Sequence, residues 1–461
     1  MMKNVHPITT ENALAPPHPS FAEAFRVWLK IGVLSFGGPA GQIALMHKEL
    51  VDERRWISES RFLHALNFCM LLPGPEAQQL ATYIGWLLHG WRGGVVAGML
   101  FILPGLLVML GLSSAYALWG QTDLLAGVFF GLKAAVLAIV IEAVIRLGRR
   151  SLKNRLMQLL ALAAFIGLFL FALPFPLIVL SAGIIGYLGF RFAPSVFSAN
   201  SHKAAAADRP SVIDDATPEK PAKSSSTIPA VIFSAGLWAL PFIVLFGLAA
   251  IDSAYWDIAT FFSKMAVVTF GGAYAVLTYV AQQAVDHYHW LKPGEMLDGL
   301  ALAETTPGPL VLVLTFTGFM AAYRSPSALA PLAGGFAGAI LTTWVTFVPC
   351  FLWIFLGAPW IEKLRQHKAL SGALAAISAA VTGVILNLAI WFGLHTLFNR
   401  VEAVSAGPVH LLWPAWRSLD PIALILTIIA ALALFRFKLG TFATLGLCAG
   451  LSVVASFAGL R

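Results

Sequence analysis

Charge is what this chain has least of. Of its 461 residues only 11% are Asp, Glu, Lys or Arg and 59% are hydrophobic, whereas a soluble globular domain carries roughly 25% charged residues. An ordinary soluble domain is excluded. Cysteine is scarce as well. Cys69, Cys350 and Cys448 stand apart in apolar sequence without Cys-x-x-Cys spacing, so neither a disulfide framework nor a thiolate metal site follows. No Gly-Lys dipeptide occurs, hence no nucleotide-binding P-loop, and HExxH and GxSxG are missing too. The expectation is a protein that is not an enzyme and carries no cofactor or metal. The start, MMKNVHPITTENALAPPHPS, lacks the apolar core of a signal peptide and reads as a cytoplasmic tail, residues 1–24. Alternating apolar and polar strands of the outer-membrane barrel type are absent too.

What is there is long apolar sequence. Runs able to cross a ~30 Å hydrocarbon layer, which takes ~20 helical residues, recur along the chain and predict an all-α polytopic membrane protein. The net charge of +8 does not point to nucleic acid, because its cations gather in short stretches: Arg146, Arg149, Arg150, Lys153 and Arg155, then Lys363, Arg365 and Lys368. That is positive-inside patterning. Within 193–227, the stretch SANSHKAAAADRPSVIDDATPEKPAKSSST is too polar to bury a core and predicts a flexible cytoplasmic tether.

The apolar sequence on either side of that linker is duplicated. Phe36-Gly37-Gly38, Trp56 and Pro73-Gly74-Pro75 return as Phe270-Gly271-Gly272, Trp290 and Pro307-Gly308-Pro309 at a constant offset of 234 residues. From Lys30 to Pro75 this offset gives thirteen identities in 46 positions, and an offset of 245 pairs Pro104 with Pro349 further on. The organisation is a first repeat over 25–192, a connecting helix over 228–255 and a second repeat over 256–461. Six segments in the first repeat plus the connecting one make an odd number, so the second repeat enters the bilayer upside down. About thirteen segments are predicted, among them 25–46, 175–192, 258–283 and 330–357, with the N-terminus cytoplasmic and the C-terminus outside.

Glycine and proline inside a span leave backbone groups unpaired, which a membrane tolerates only against protein or a watery cavity. In Phe-Gly-Gly-Pro, Gly38 can cap and Pro39 can open a half-helix. Pro75 can do the same for EAQQLATYIGW. Each restart aims free N–H groups and a positive dipole end inward, an anion site in waiting. The alternative for any single motif is a tight helix crossing through small residues. Around the breaks, Arg26, Lys30 and Gly37 are predicted to share one helical face, and Lys264 repeats Lys30. Gln78 and Gln79 can donate to an oxyanion or equally make a polar helix contact, and Thr305 and Thr306 lead into the second Pro-Gly-Pro. Lys133 and Glu142 read as a mid-span pair. Glu304 and Glu76, flanking the two Pro-Gly-Pro motifs, are the candidate coupling groups, with Glu76 better explained as a dipole partner. DHYHW, Asp286 to Trp290, reads as an interfacial aromatic belt rather than a metal site.

The ordered signatures SFGGPAGQIAL, LLPGPEAQQLATYIG, TFGGAYAVLTY and AETTPGPLVLVLTFTGF resemble those of the chromate ion transporter (CHR) superfamily in its long two-domain form, over essentially the whole chain after the tail. The resemblance implies a bacterial inner-membrane protein that exports chromate and confers chromate resistance, with sulfate as a competing analogue. It implies lipid as the surrounding partner, no nucleic acid, and allows a homodimer. The second copy departs from the pattern at Ala273, where the first has Pro39. Alternatives of the same fold are a carrier of sulfate or another tetrahedral oxyanion, or an anion channel.

Overall fold

The computed structural model describes residues 16–70, 72–120, 122–192, 210–214, 224–250, 253–270, 273–292, 294–358, 368–407 and 409–459. Gly271, Gly272, Lys363, Arg365 and most of the 193–227 linker lie outside them. The first repeat supplies α1 (Phe21–Leu34), α2 (Gly38–His47), α3 (Glu59–Cys69), α4 (Glu76–Trp119), α5 (Asp123–Ser151), α6 (Arg155–Phe169) and α7 (Phe175–Phe192). The connecting helix is α8 (Ser224–Gly247). The second repeat supplies α9 (Ala254–Val268), α10 (Ala273–Gln282), α11 (Glu295–Glu304), α12 (Val313–Arg324), α13 (Pro331–Gly357), α14 (Lys368–Leu397), α15 (Pro421–Ala431) and α16 (Thr441–Phe457). One antiparallel hairpin, β1 (Val401–Ala406) with β2 (Val409–Pro414), was not anticipated.

The helices start where short polar residues cap them. Ser20, Ser58, Ser253 and Asp420 each accept a hydrogen bond from a backbone N–H of the first turn of α1, α3, α9 and α15. Among the described residues, six helices are long and apolar enough to cross a membrane, α4, α5, α13 and α14 included. Large apolar side chains such as Leu180, Ile232, Phe246 and Val454 face outward on α7, α8 and α16, where water would expel them and lipid would not. The chain is an all-α, multi-pass membrane protein.

The packing of the two repeats is reciprocal. α5 of the first packs on α15 and α16 of the second, while its counterpart α14 packs on α6 and α7 of the first. Small residues permit these contacts. A Cβ at Gly131 would stand 2.2 Å from the Cys448 carbonyl, and one at Gly383 would stand 2.0 Å from that of Ala161.

The motif segments are shorter than the sequence predicted. α1 has 14 residues, α2 has 10 and α3 has 11, each well under the ~20 needed to cross. α4 is interrupted at His89 and Gly90, where φ and ψ leave the helical region. The His89 ring lies 3.0 Å from the Pro19 carbonyl just ahead of α1. The second repeat closes likewise: Arg324, ending α12, donates to Glu295 at 2.7 Å twice and to the Trp290 carbonyl at 3.1 Å.

The linker is more than a tether in one place. Val212 N donates to Arg55 O at 3.1 Å, Ile213 N to Trp56 O at 3.1 Å, and Ser58 N to Ile213 O at 2.9 Å, forming a short parallel bridge. Val212 and Ile213 are the β-branched pair in an otherwise polar stretch, which suits them to pleated pairing. Ile213 and Ser211 are buried there.

Candidate anion site at the crossed helix breaks

The first Phe-Gly-Gly ends α1 and begins α2. Gly37 (φ 83°) and Gly38 (φ 69°) adopt left-handed backbone, where an L side chain costs ~1–2 kcal/mol. Gly37, not Gly38, is the cap, and Pro39 lies in the first turn. A Cβ on either glycine would meet nothing within 4 Å, so conformation rather than crowding demands glycine. The expected shared face of Arg26, Lys30 and Gly37 is not formed, because α1 stops at Leu34 and Gly37 has left the helix. Phe36, partly buried, packs edge-on against Phe442 at 5.3 Å.

Each Pro-Gly-Pro is tied to the other repeat. Gly74 N donates to Thr269 O at 2.8 Å, and Gly308 N donates to Ser35 O at 2.8 Å. Both partners stand immediately before a Phe-Gly-Gly, and the 234-residue offset converts one bond into the other. The capping of the carbonyls repeats too: Ser35 Oγ donates to Ile31 O at 2.6 Å and Thr269 Oγ1 to Met265 O at 2.5 Å. The 245-residue offset holds beside them. A Cβ at Gly105 would stand 2.1 Å from Pro307 O, and one at Gly74 would stand 2.7 Å from Cys350 Sγ. The first break of each repeat is thus pinned to the second break of its partner.

Three glutamines surround these crossings. Gln42 donates to Gly308 O at 2.6 Å, Gln79 to Pro73 O at 2.7 Å and Gln78 to Thr82 Oγ1 at 3.2 Å. All three are buried, and their side-chain Oε1 atoms accept no hydrogen bond. Pro75 caps α4 without a side-chain bond, and Pro309 does the same for the turn that leads into α12. Thr305 and Thr306 are spent locally, both donating to Leu302 O.

The cations are arranged otherwise than the spacing implied. Lys30 is held at 2.6 Å by Glu49, which Arg54 also grips at 2.5 Å. Arg26 and Lys264 are exposed on α1 and α9. The charged groups acting on the break-side carboxylates come from α5: Arg150 on Glu76, and, after Tyr274 of α10, Arg146 with Glu142 on Glu304. Glu304 is buried and accepts from Tyr274 Oη at 2.7 Å, whereas Glu76 is only partly buried at the start of α4. Lys133 and Glu142 do not pair. Glu142 lies 3.5 Å from Arg146, and Lys133 lies 3.2 Å from Asp298. Trp290 is buried against Tyr288 and Phe262 instead of forming a lipid-facing belt. A hollow of about 480 Å³ lined by His395, Phe398 and Glu402 lies at the end of α14 and includes no motif residue. Ser35, Thr269, Gln42 and Asp298 were missed by sequence reasoning, whereas Gln79 stood beside Gln78 among its candidate oxyanion donors. Only the Ser35/Thr269 match within the repeat could have flagged any of them.

A membrane protein whose two halves interlock through broken helices is the class this geometry defines. Residues 22–187 and 256–453 match the chromate transporter family, and the chain belongs to it. It is 33% identical over 386 residues, 82% of each chain, to the chromate transport protein of Pseudomonas aeruginosa. It is 27% identical to a probable chromate transport protein of Synechococcus elongatus, over 91% of this chain and 97% of that one. An uncharacterized transporter of Bacillus subtilis is 32% identical over 30% of this chain but 69% of its own length, which makes it comparable to a single repeat. No solved structure gives a significant match.

Proposed function

We propose that the chain is a secondary transporter that moves chromate out of the cytoplasm and so confers resistance to it. The observation that carries this reading is the reciprocal pair Gly74 N to Thr269 O and Gly308 N to Ser35 O. It gathers four helix breaks, each with a positive restart, around the join of the repeats, where inverted-repeat carriers bind their substrates. Family membership and the relatives named above supply the substrate. A dianion leaving a cell that is 100 mV negative inside gains ~2.3 kcal/mol per charge, ~4.6 in all, so export needs no ATPase.

We read the repeats as inverted and their motif helices as paired half-helices. Pro19 meets His89 at the kink of α4, while Tyr116, ~40 Å further along at 1.5 Å per residue, meets Asp298 near the start of α11. The starts of α1 and α11 therefore lie at opposite ends of the second part of α4, which supports inversion. The anion site comprises Gly37, Gly38, Pro39, Pro73, Gly74, Pro75 and Gln78 with Pro307, Gly308 and Pro309 of the second repeat, and Lys30 and Lys264 supply charge nearby. Of the coupling candidates Glu304 is the better placed.

Radiolabelled chromate flux in inside-out vesicles tests this, with sulfate, molybdate and phosphate as competitors. Potential-dependent accumulation, displaced best by chromate, is expected. Preferential displacement by sulfate would make this a sulfate carrier. Flux that never exceeds equilibrium would make it a channel.

A further inference from the structure

We propose that Lys133 is an additional anion-binding residue, near the start of α11, and that Asp298 is its resting counter-ion, displaced when it takes up a proton. The inference rests on the oxyanion-transport reading above.

Lys133 lies ten residues, ~15 Å of helix, inside α5, so its charge is not at a surface turn. Its ammonium is 3.2 Å from Asp298 Oδ2, the oxygen to which Tyr116 Oη also donates at 2.8 Å. Three elements converge there: α4 and α5 from the first repeat and α11 from the second. Both donors crowd one carboxylate oxygen. The other, Oδ1, is buried and accepts no hydrogen bond. A carboxylate built only for structure would use both oxygens, since a buried acceptor left unpaired costs ~1–3 kcal/mol.

Exposure is lopsided in the way an anion site requires. The Asp298 side chain is 4% exposed and the Lys133 side chain 26%. The carboxylate is sealed in while the Lys133 side chain keeps part of its surface open. Gly294 (φ 88°) lies beside Nζ, where a Cβ would stand in ordinary contact at 3.4 Å.

Charge counting then decides the order of events. The groups facing Asp298 are Tyr116 from α4 and Lys133 from α5, with Glu295 of α11 and Arg324 of α12 beyond Tyr116. α16, the remaining helix packed on α11, has Cys448 as its one titratable side chain. Lys133, Arg324 and Lys292, the last acting on Glu295, against Asp298 and Glu295 leave the set at plus one. An arriving dianion would bring it to minus one, with Asp298 competing for the same ammonium. A proton taken from water onto Oδ1 neutralises Asp298, releases Lys133 with its charge intact, and lets its N–H groups turn to the oxyanion. No other bond is made or broken.

The test is chromate flux in proteoliposomes, with KM measured against pH on the Lys133 side. In the unmodified protein KM should rise with pH, as Asp298 ionises and reclaims Lys133. Asp298→Asn should give a low KM with no pH dependence. Lys133→Gln should raise KM by at least roughly tenfold, the loss of one charged hydrogen bond, and also flatten the profile. Tyr116→Phe keeps both charges and should shift the midpoint. Where the single charge variants fail to insert, the neutral pair K133Q with D298N should insert and show a raised, flat KM. A wild-type pH profile in Asp298→Asn or in the pair, an unmoved midpoint in Tyr116→Phe, or an unchanged KM in Lys133→Gln overturns the proposal. Absence of chromate flux in the unmodified protein would instead overturn the transport reading on which it rests.

Discussion

Gly37 carries more of the proposed chemistry than any cation near it. Its φ of 83° turns the chain between two half-helices, and open space lies beside its Cα. Gly37→Ala should therefore fail through backbone strain of ~1–2 kcal/mol, not through a clash. Gly37→Asn should retain more transport than Gly37→Ala, since Asn visits the left-handed region more readily. Equal activity in both would remove the conformational argument. Gly105 makes the opposite case. Its α carbon is in ordinary helix, but a Cβ would stand 2.1 Å from Pro307 O. Gly105→Val should wedge the repeats apart and lower the thermal stability of purified protein more than Gly111→Val, where nothing lies within 4 Å. Glu304→Gln should weaken the response of chromate accumulation to an imposed pH gradient more than Glu76→Gln, because Glu304 is the buried one, held by Tyr274. No difference between them would leave membrane potential as the drive.

Among the elements, those with strong local signals were legible in the sequence. α7 and α13 fall within a residue of the predicted 175–192 and 330–357, since long apolar runs between Gly, Pro and charge admit no other reading. Segments predicted as 25–46 and 258–283 each proved to be two helices. A hydropathy window averages across Ser35–Gly37, and a three-residue interruption disappears in it. The bonds that join the breaks were not legible either. Ser35 O and Thr269 O are backbone acceptors, and neither bears a side-chain signature for a partner more than 190 residues away. The linker shows the same limit. Its composition predicts a tether, and three backbone bonds at 212–213 and 58 depend on a surface that composition does not contain. Val212→Pro removes the N–H that reaches Arg55 O and should free the strap, seen as faster proteolysis of the linker in membranes. Deleting 215–223 should leave resistance largely intact. An unchanged cleavage rate in Val212→Pro would mean the bridge does not hold the linker.

At the scale of the molecule, the linker contact bears on which side of the membrane each loop faces. If α1 and α2 crossed as one span, the loop at 48–58 would lie opposite Pro19. Yet Trp56 and Ser58 bond to Ile213 of the linker, and the chain returns to the linker through α5, α6 and α7, two hairpin turns from the His89 end of α4. His89 in turn touches Pro19. We infer that the start of α1, the loop at 48–58, the kink at 89–90 and the linker share one side, and positive-inside charge at Arg149 and Arg150 argues that this side is cytoplasmic. On that reading α1 with α2, and α3 with the first part of α4, enter and leave on that side. Treating their counterparts the same way takes two crossings from each repeat, so the total stays odd and the termini stay opposite. The prediction is made with single cysteines, against a background whose three native cysteines are buried. Glu53→Cys and Asp214→Cys should react with an impermeant maleimide only in inside-out vesicles. Glu402→Cys, on the β hairpin, should react only in right-side-out cells. Labelling of Glu53→Cys from outside would restore α1 and α2 as a full crossing, and with it the requirement that the linker bridge be absent in the membrane.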